Sequence, residues 1–138
     1  MNALFDTNVI LDLLLDREPF NVSATWLISK AEAGAINGAL CATTLTNIFY
    51  IASKALNRQQ AVTAIADIMS IFEVAPVTRA VIEDALTTKM QDFEDAVLYQ
   101  SAIHHGCQLI VTRNTKDFTH SNIPVMTPDE FIALLHTT

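Results

Sequence analysis

The chain of 138 residues is 51% hydrophobic and 17% charged, a composition typical of one globular domain with a sizeable core and unlike that of disordered chains. Its 15 acidic and 8 basic residues give a net charge of −7, and the chain has no run of basic residues. This excludes binding of nucleic acid through a basic patch. Any nucleic acid would have to be held by a few cations or by metal ions on carboxylates. No apolar run approaches the ~18 residues of a membrane span, and no basic-then-apolar leader opens the chain, so we expect one cytoplasmic domain over residues 1–138 without membrane contact.

Short apolar runs alternate with stretches of helical periodicity along the chain. The predicted strands are Asn2–Phe5, 39–42, 72–77, 108–111 and a weak last one at 124–126. The predicted helices are 7–15, one that reaches about residue 33, one that reaches about residue 56, Arg58–Ile71, one that reaches about residue 89, 92–105 and one that begins after residue 127. Because Pro76 lacks the N–H that a central strand needs, we expect the third strand at an edge of the sheet.

Capping residues predict where the helices begin and end. Side-chain caps are expected from Asn21 or Ser23, from Thr43 or Thr44, from Thr78 and from Thr127. Thr127 is followed by Pro128 and then by Glu130, a spacing that predicts a capping box. Gly34 and Gly106 are expected to stop the helices that precede them.

Strands separated by helices require crossover connections between parallel strands. The predicted fold class is therefore α/β, a three-layer α/β/α domain with a central, mainly parallel sheet flanked by helices. Ligands of such sheets bind beyond the carboxyl ends of the strands. Polar residues follow three predicted strand ends, and they are Asp6, then Thr43, Thr44 and Asn47, and finally Thr112, Arg113 and Asn114.

Four aspartates are expected at that edge of the sheet. Asp6 ends the first strand, Asp92 and Asp95 share one face at the start of a helix, and Asp117 follows the fourth strand, whereas Glu94 is expected to point elsewhere. Two such charges ~4 Å apart repel by about 4 kcal/mol at an effective dielectric of about 20. Protonation or a bound cation relieves this repulsion, and oxygen ligands without Cys or His favour Mg²⁺ or Mn²⁺. Such a site activates water and stabilises charge on a phosphodiester.

Each aspartate also has a purely structural interpretation. Asp6 and Asp92 could cap the helices that follow them, and Asp117 could form an Asx-turn. Their shared position at one end of one sheet favours a site. Asp12, nearly two turns beyond Asp6, is expected outside the site as a solvated or loop-pairing residue.

The cysteines and paired histidines are expected to have no metal role. Cys41 and Cys107 lie in apolar, strand-like segments and are expected to be buried, reduced thiols. A zinc site would need more Cys or His at short spacing. The adjacent His104 and His105 point apart on a helix and are expected at its surface.

Three segments together resemble a PIN domain, and more narrowly the VapC-like ribonucleases that are toxins of toxin–antitoxin systems. The segments are FDTNVILD at 5–12, DFEDA at 92–96 and VTRNTKDF at 111–118. The resemblance covers roughly residues 2–126. It implies a parallel sheet flanked by helices, an acidic pocket that binds Mg²⁺ or Mn²⁺, and hydrolysis of RNA phosphodiester bonds by a metal-activated water.

The resemblance also implies roles for individual residues. The aspartates that match the family's catalytic and metal-binding residues are Asp6, Asp95 and Asp117, with Asn114 as an alternative to Asp117 and with Asp92 as an additional metal ligand. The residues expected to contact these ligands or the substrate are Asn8, Asn47, Thr112, Arg113 and Asn114. Asn47 departs from the family pattern, because many PIN domains carry a glutamate there. Its amide supplies no charge, so we expect weaker metal affinity and compensation by Asp92.

Two other functions are compatible with the same residues. A non-catalytic interaction module would use the acidic pocket to receive a basic side chain of a partner. A phosphatase or phosphoacceptor would use Asp6 as nucleophile, although such proteins usually carry an aspartate where this chain has Asn8, and the chain has no phosphate-binding glycine loop.

The expected partners of a VapC-like protein are an RNA substrate, a cognate antitoxin with a basic tail, and a second copy of the chain. Apolar residues that could supply the dimer interface are Ile48, Phe49, Ile51, Ile68, Ile71 and Phe72. Packing in the core is the preferred interpretation for most of them.

Overall fold

The computed structural model describes residues 1–137, in which strands and helices alternate. The strands are β1 (Asn2–Phe5), β2 (Asn37–Cys41), β3 (Glu73–Ala75), β4 (Leu109–Val111) and β5 (Val125–Met126). The helices are α1 (Thr7–Leu14), α2 (Asn21–Glu32), α3 (Ala42–Ala55), α4 (Arg58–Ile71), α5 (Arg79–Thr87), α6 (Phe93–His105) and α7 (Pro128–His136). A 3₁₀ turn, Thr115–Phe118, lies between β4 and β5 and was not expected.

The strands form a parallel sheet in the order β3-β2-β1-β4-β5. β1 lies at its centre, where Leu4 pairs with Ala39 of β2 and with Ile110 of β4. β3 lies at an edge, as predicted from Pro76, the residue that follows it. Because all the strand pairs are parallel, their carboxyl ends share one edge of the sheet.

Alternate residues of the strands face opposite layers of helices. Phe5 and Val111 belong to a core formed with residues of α1, α2, α3, α4 and α7. Leu4 and Ile110 belong to a second core, formed with residues of α5 and α6. All four side chains are fully buried. The sheet is therefore the middle of three layers, which confirms the predicted α/β/α class.

The predicted ends of several helices are confirmed. The side chain of Thr78 caps α5, and Thr127 and Glu130 form the capping box at the start of α7. Gly34 and Gly106 follow the ends of α2 and α6 with φ of 81° and 79°. This is the left-handed conformation that glycine adopts at a helix end without steric cost.

The cap expected for α2 is wrong. The helix begins after Phe20, and no side chain caps it. Asn21 is already its first residue, and the Asn21 amide donates instead to the Asp16 carboxylate at 2.7 Å. Ser23 lies inside the helix and donates to Asp129 at the start of α7. Contacts to other segments thus replaced the local cap at both positions.

The caps expected for α3 are wrong as well. β2 continues directly into α3 with Cys41 as the N-cap residue, so no loop remains in which Thr43 or Thr44 could cap the helix. Thr44 is buried instead, at 1% exposure. β3 is also shorter than the expected 72–77, because Phe72 ends α4 and packs its ring edge-on against Phe5, with the ring centroids 5.3 Å apart.

The expected burial of the cysteines and the expected surface position of the histidines are confirmed. Cys41 and Cys107 are buried and unpaired. Burial raises the pKa of the Cys107 thiol to about 11, so it stays protonated at neutral pH. His104 and His105, at the end of α6, lie 2.7 and 3.3 Å from carboxylates of α5 and β3.

Most of the apolar residues considered for a dimer interface belong to the core. Ile48, Ile68 and Phe72 are at most 5% exposed, and Ile51 and Ile71 pack partly buried against the same core. None of the helices within residues 1–137 has the length and apolar character needed to cross a membrane.

Candidate active site

A cavity of about 530 Å³ opens at the carboxyl edge of the sheet. Five carboxylates line it, and they are Asp6, Asp92, Glu94, Asp95 and Asp117. The predicted residues Asn8, Asn47 and Asn114 also line it. We call this cavity the acidic pocket. The fold therefore brings together the four aspartates that were expected at the strand ends.

Asp6 is held in the acidic pocket by hydrogen bonds from three neighbours. Its Oδ1 accepts from the backbone N–H of Thr7 at 2.7 Å, which caps α1. Its Oδ2 accepts from the Thr112 hydroxyl at 2.8 Å and from the Asn8 amide at 3.4 Å. Burial raises the pKa of Asp6, and the hydrogen bonds from Thr112 and Thr7 oppose that increase. Asp117 adds a further increase through charge repulsion.

Asp95 lies in the first turn of α6 and is the most strongly perturbed acid of the pocket. Its pKa is raised to about 7, first by burial and then by repulsion from Asp92, Asp6 and Asp117. Repulsion from neighbouring carboxylates thus adds to burial at both Asp6 and Asp95. Near neutral pH a substantial fraction of Asp95 therefore carries a proton in the metal-free protein.

Asp92 lies at the start of α6, and Asp117 lies in the 3₁₀ turn after β4. Asp92 is the N-cap residue of α6, and its Oδ1 accepts from the backbone N–H of Glu94 at 2.9 Å. Asp117 lies in the 3₁₀ turn, where its N–H donates to the Asn114 carbonyl at 3.0 Å and where the next residue, Phe118, is buried. The Asp92 side chain thus has a structural role, and both Asp92 and Asp117 line the acidic pocket.

The expectation that Glu94 points elsewhere is wrong. Its side chain lines the acidic pocket, and its Oε1 accepts from the Asn47 amide at 2.6 Å. Glu94 lies in the pocket because its side chain, longer than that of aspartate, extends from α6 to Asn47 on α3. Asn47 itself carries no charge, yet it holds a carboxylate at the position where the family pattern has an acid. The missing acid at position 47 was the signal that could have directed attention to Glu94.

Arg113 does not line the acidic pocket. Its Nε donates to Asp12 Oδ2 at 2.7 Å and its Nη2 donates to Oδ1 at 3.1 Å, while the guanidinium lies 4.0 Å from the centre of the Phe20 ring. Asp12 was expected outside the site as a solvated or loop-pairing residue; it is not solvated, because its carboxylate is fully buried, but its pairing with loop arginines is confirmed. The ion pair with Arg113, with Arg17 3.9 Å away, explains how a charge is accommodated there.

Thr112 and Asn8 connect the two segments that carry the aspartates. Thr112 is fully buried and accepts from the Asn114 N–H at 3.0 Å while it donates to Asp6. The Asn8 side chain donates to Thr112 at 3.3 Å and accepts from the Arg113 N–H at 3.3 Å. This network holds the start of α1 against the segment after β4 and thereby fixes the direction of the Asp6 carboxylate.

The atoms of the acidic pocket that could bind a metal ion are oxygens of carboxylate, amide and hydroxyl groups. Such a donor set fits a hard divalent cation such as Mg²⁺ or Mn²⁺ rather than zinc. Across residues 1–137, no three or more Asp, Glu, His or Cys side chains already stand in positions that would hold a metal ion. The pocket is thus a charged cavity with suitable ligands, and a bound ion would draw them closer together.

Comparison with known proteins gives the same fold. The PIN domain family model matches residues 2–116. Ribonuclease VapC1 from Aquifex aeolicus (strain VF5) is 28% identical over 131 residues, which cover 91% of this chain and 90% of that protein. A toxin–antitoxin complex from Klebsiella pneumoniae contains a chain that is 28% identical, with a TM-score of 0.69 and coverage of 91% of this chain and 97% of that one.

A more distant solved structure supports the fold alone. VapC20 of Mycobacterium tuberculosis, described as a toxin that cleaves the sarcin–ricin loop, is 18% identical with a TM-score of 0.62. The match covers 78% of this chain and 86% of that one.

Proposed function

Because the chain belongs to the PIN domain family, we propose that it is a metal-dependent endoribonuclease and the toxin of a toxin–antitoxin pair. The observation that carries the proposal is the convergence of five carboxylates in one pocket at the carboxyl edge of a parallel sheet. The ribonuclease from Aquifex aeolicus, aligned over nearly the whole length of both proteins, supports the choice of RNA as substrate.

We assign the metal-binding and catalytic roles to Asp6, Asp95 and Asp117, with Asp92 beside them. A bound Mg²⁺ or Mn²⁺ would supply positive charge that polarises the phosphodiester and activates water. Thr112 orients Asp6 by donating to it, since this hydroxyl is buried and has no freedom to turn away. Asp95 is partly protonated near neutral pH when no cation is present, because burial and its acidic neighbours raise its pKa to about 7.

The proposed protein partner is an antitoxin. The homologous chain from Klebsiella pneumoniae was solved as a toxin–antitoxin complex. The α3–α4 hairpin exposes apolar side chains that a partner could cover, and they are Tyr50, Leu56, Val62 and Met69, each between 46% and 59% exposed. The two free thiols fit a reducing compartment, so we place this activity in the cytoplasm.

Cleavage of RNA by the purified protein tests the proposal. With Mn²⁺ or Mg²⁺ we expect endonucleolytic products, and with EDTA we expect none. Asp6→Asn and Asp95→Asn should abolish cleavage, because each removes a charge from the proposed metal site. Glu83→Gln is the matched control, since Glu83 is an exposed acid that pairs with Arg79 outside the pocket.

A non-catalytic interaction module is the second candidate, because Asn47 supplies no charge where an acid is expected. Wild-type protein that leaves RNA intact with either metal, yet binds a basic peptide, would establish this function and overturn the first. The family match argues against the phosphoacceptor alternative.

A further inference from the structure

A second cavity adjoins the acidic pocket. It has a volume of about 560 Å³, and Asp92, Asp95 and Asp117 line both cavities. On its other side it is lined by Lys89 and Lys116. We call it the lysine pocket. Because the two pockets share these three aspartates, they lie side by side, and an extended ligand could contact both.

The lysine and arginine side chains of this acidic protein differ in whether they have a partner. Among the eight Lys and Arg side chains, Arg79 and Arg113 form ion pairs with carboxylates, and Lys30 and Arg58 lie over aromatic rings. Within residues 1–137, Lys89 has no salt bridge. Lys116 has no salt bridge there either, and the side chains of Lys89 and Lys116 are exposed.

Arg17 is the cation on the opposite side of the shared aspartates, in the acidic pocket. It lies 3.9 Å from Asp12, whose two oxygens already accept hydrogen bonds from Arg113 at 2.7 and 3.1 Å. The guanidinium of Arg17 therefore keeps most of its donors for another anion. Its side chain is 38% exposed, so such an anion can reach it.

An exposed aromatic side chain, Tyr50, lines the acidic pocket together with Arg17. Tyr50 is 59% exposed, and the Lys54 ammonium lies 4.7 Å from the centre of its ring. An exposed ring beside cations is the arrangement on which single-stranded nucleic acids stack their bases.

We propose that the acidic pocket and the lysine pocket form one track for a single strand of RNA. Arg17 holds a phosphate on one side of the aspartates, Lys89 and Lys116 hold phosphates on the other side, and Tyr50 stacks on a base. This inference rests on the proposed ribonuclease function and specifies how its substrate is held. It also explains how a protein with a net charge of −7 engages a polyanion, because Lys89, Lys116 and the only partly paired Arg17 line the two pockets.

The test is binding of a fluorescently labelled, single-stranded RNA oligonucleotide of mixed sequence to protein carrying Asp6→Asn, which prevents its cleavage. In this background we expect Arg17→Ala and Lys116→Ala to lower the affinity several-fold. Each should also reduce the slope of log affinity against log salt by about 0.7, the contribution of one phosphate contact on a single strand. Tyr50→Ala should lower the affinity at least about fivefold while leaving the salt slope unchanged.

Arg79→Ala and Lys30→Ala are the matched controls, because these cations lie outside both pockets. The track is overturned if the controls weaken binding as much as Arg17→Ala and Lys116→Ala do. It is also overturned if the oligonucleotide does not bind at low salt, or if duplex RNA binds equally well. Failure of the ribonuclease proposal is seen separately, as absence of cleavage by the wild-type protein in Mn²⁺.

Discussion

The two oxygens of the Asp6 carboxylate have different partners, so one side chain both caps α1 and belongs to the acidic pocket. Oδ1 accepts from Thr7 at 2.7 Å, and Oδ2 accepts from Thr112 at 2.8 Å. Asp92 likewise combines an N-cap with a position in the pocket. The structural and functional interpretations of these aspartates are therefore compatible, since a helix N-terminus and a cation both stabilise negative charge.

Substitution of Asp95 should reveal the cost of its burial, and of repulsion by neighbouring acids, as a pH-dependent stability. The folded state raises the pKa of Asp95 from 3.8 to about 7 and so binds its proton more tightly than the unfolded chain does. Stability is therefore lost as the pH rises through this range. In EDTA, we expect Asp95→Asn to melt a few degrees above the wild type at pH 8, and this difference should vanish near pH 4.

Thermal melts at several pH values, with EDTA or with Mn²⁺, measure this effect. Mn²⁺ should stabilise the wild type more than Asp95→Asn, because the variant lacks one proposed ligand. Glu83→Gln serves as the control, since this exposed acid lies outside the pocket. A variant that melts below the wild type at pH 8 in EDTA would contradict the raised pKa of Asp95 and its assigned causes, burial and repulsion.

The ion pair between Asp12 and Arg113 joins two elements, α1 and the segment after β4. Asp12 is fully buried and Arg113 is 26% exposed, and the hydrogen bonds between them measure 2.7 and 3.1 Å. The backbone of Arg113 also donates to Asn8, whose amide contacts Asp6. The pair therefore anchors the segment that carries the polar contacts of Asp6.

Removal of one partner of this pair should be costly. We expect Arg113→Ala to reduce the free energy of unfolding by about 3 kcal/mol, because it leaves the buried Asp12 charge without its main partner. Asp12→Ala should cost less, since Arg113 can then turn toward water. Urea denaturation of the two single variants and the double variant measures the coupling energy, which we expect to exceed about 1 kcal/mol.

The pair of Arg79 and Glu83 supplies the reference for that cycle. Both side chains are exposed, at 90% and 61%, and they lie one helical turn apart on α5. Its coupling energy should stay below about 0.5 kcal/mol. Equal coupling in the two cycles would show that burial of Asp12 does not strengthen its ion pair.

At the scale of the whole molecule, the proposed toxin should act on cell growth. We expect expression of the wild-type chain to slow growth and Asp6→Asn to abolish the effect, because the metal site then lacks its first carboxylate. Co-expression of a small protein encoded directly upstream should restore growth. Growth curves with immunoblots to equalise expression measure both effects, and toxicity that persists in Asp6→Asn would exclude metal-site catalysis as its cause.

The elements that were predicted well are those specified by local pattern. Alternation of apolar runs and helical periods predicted the five strands and the order of the helices, and Thr127 with Glu130 predicted the start of α7. The side-chain caps expected for α2 and α3 were wrong, because Asn21 and Ser23 bond to other segments and because β2 continues directly into α3. A local sequence pattern does not show that a side chain will bond to a distant segment or that a strand will continue directly into a helix.

The sequence by itself determined that polar and acidic residues follow the carboxyl ends of parallel strands, because hydrophobic periodicity and the succession of strands and helices can be read from the chain. This was enough to place Asp6, Asp95 and Asp117 at one edge of the sheet. Only the tertiary structure decided where Glu94 and Arg113 point. Glu94 reaches Asn47 across 47 residues of sequence, and Arg113 turns to Asp12 across 101. Long side chains choose among partners by burial and charge, and those partners exist only once the helices have packed on the sheet.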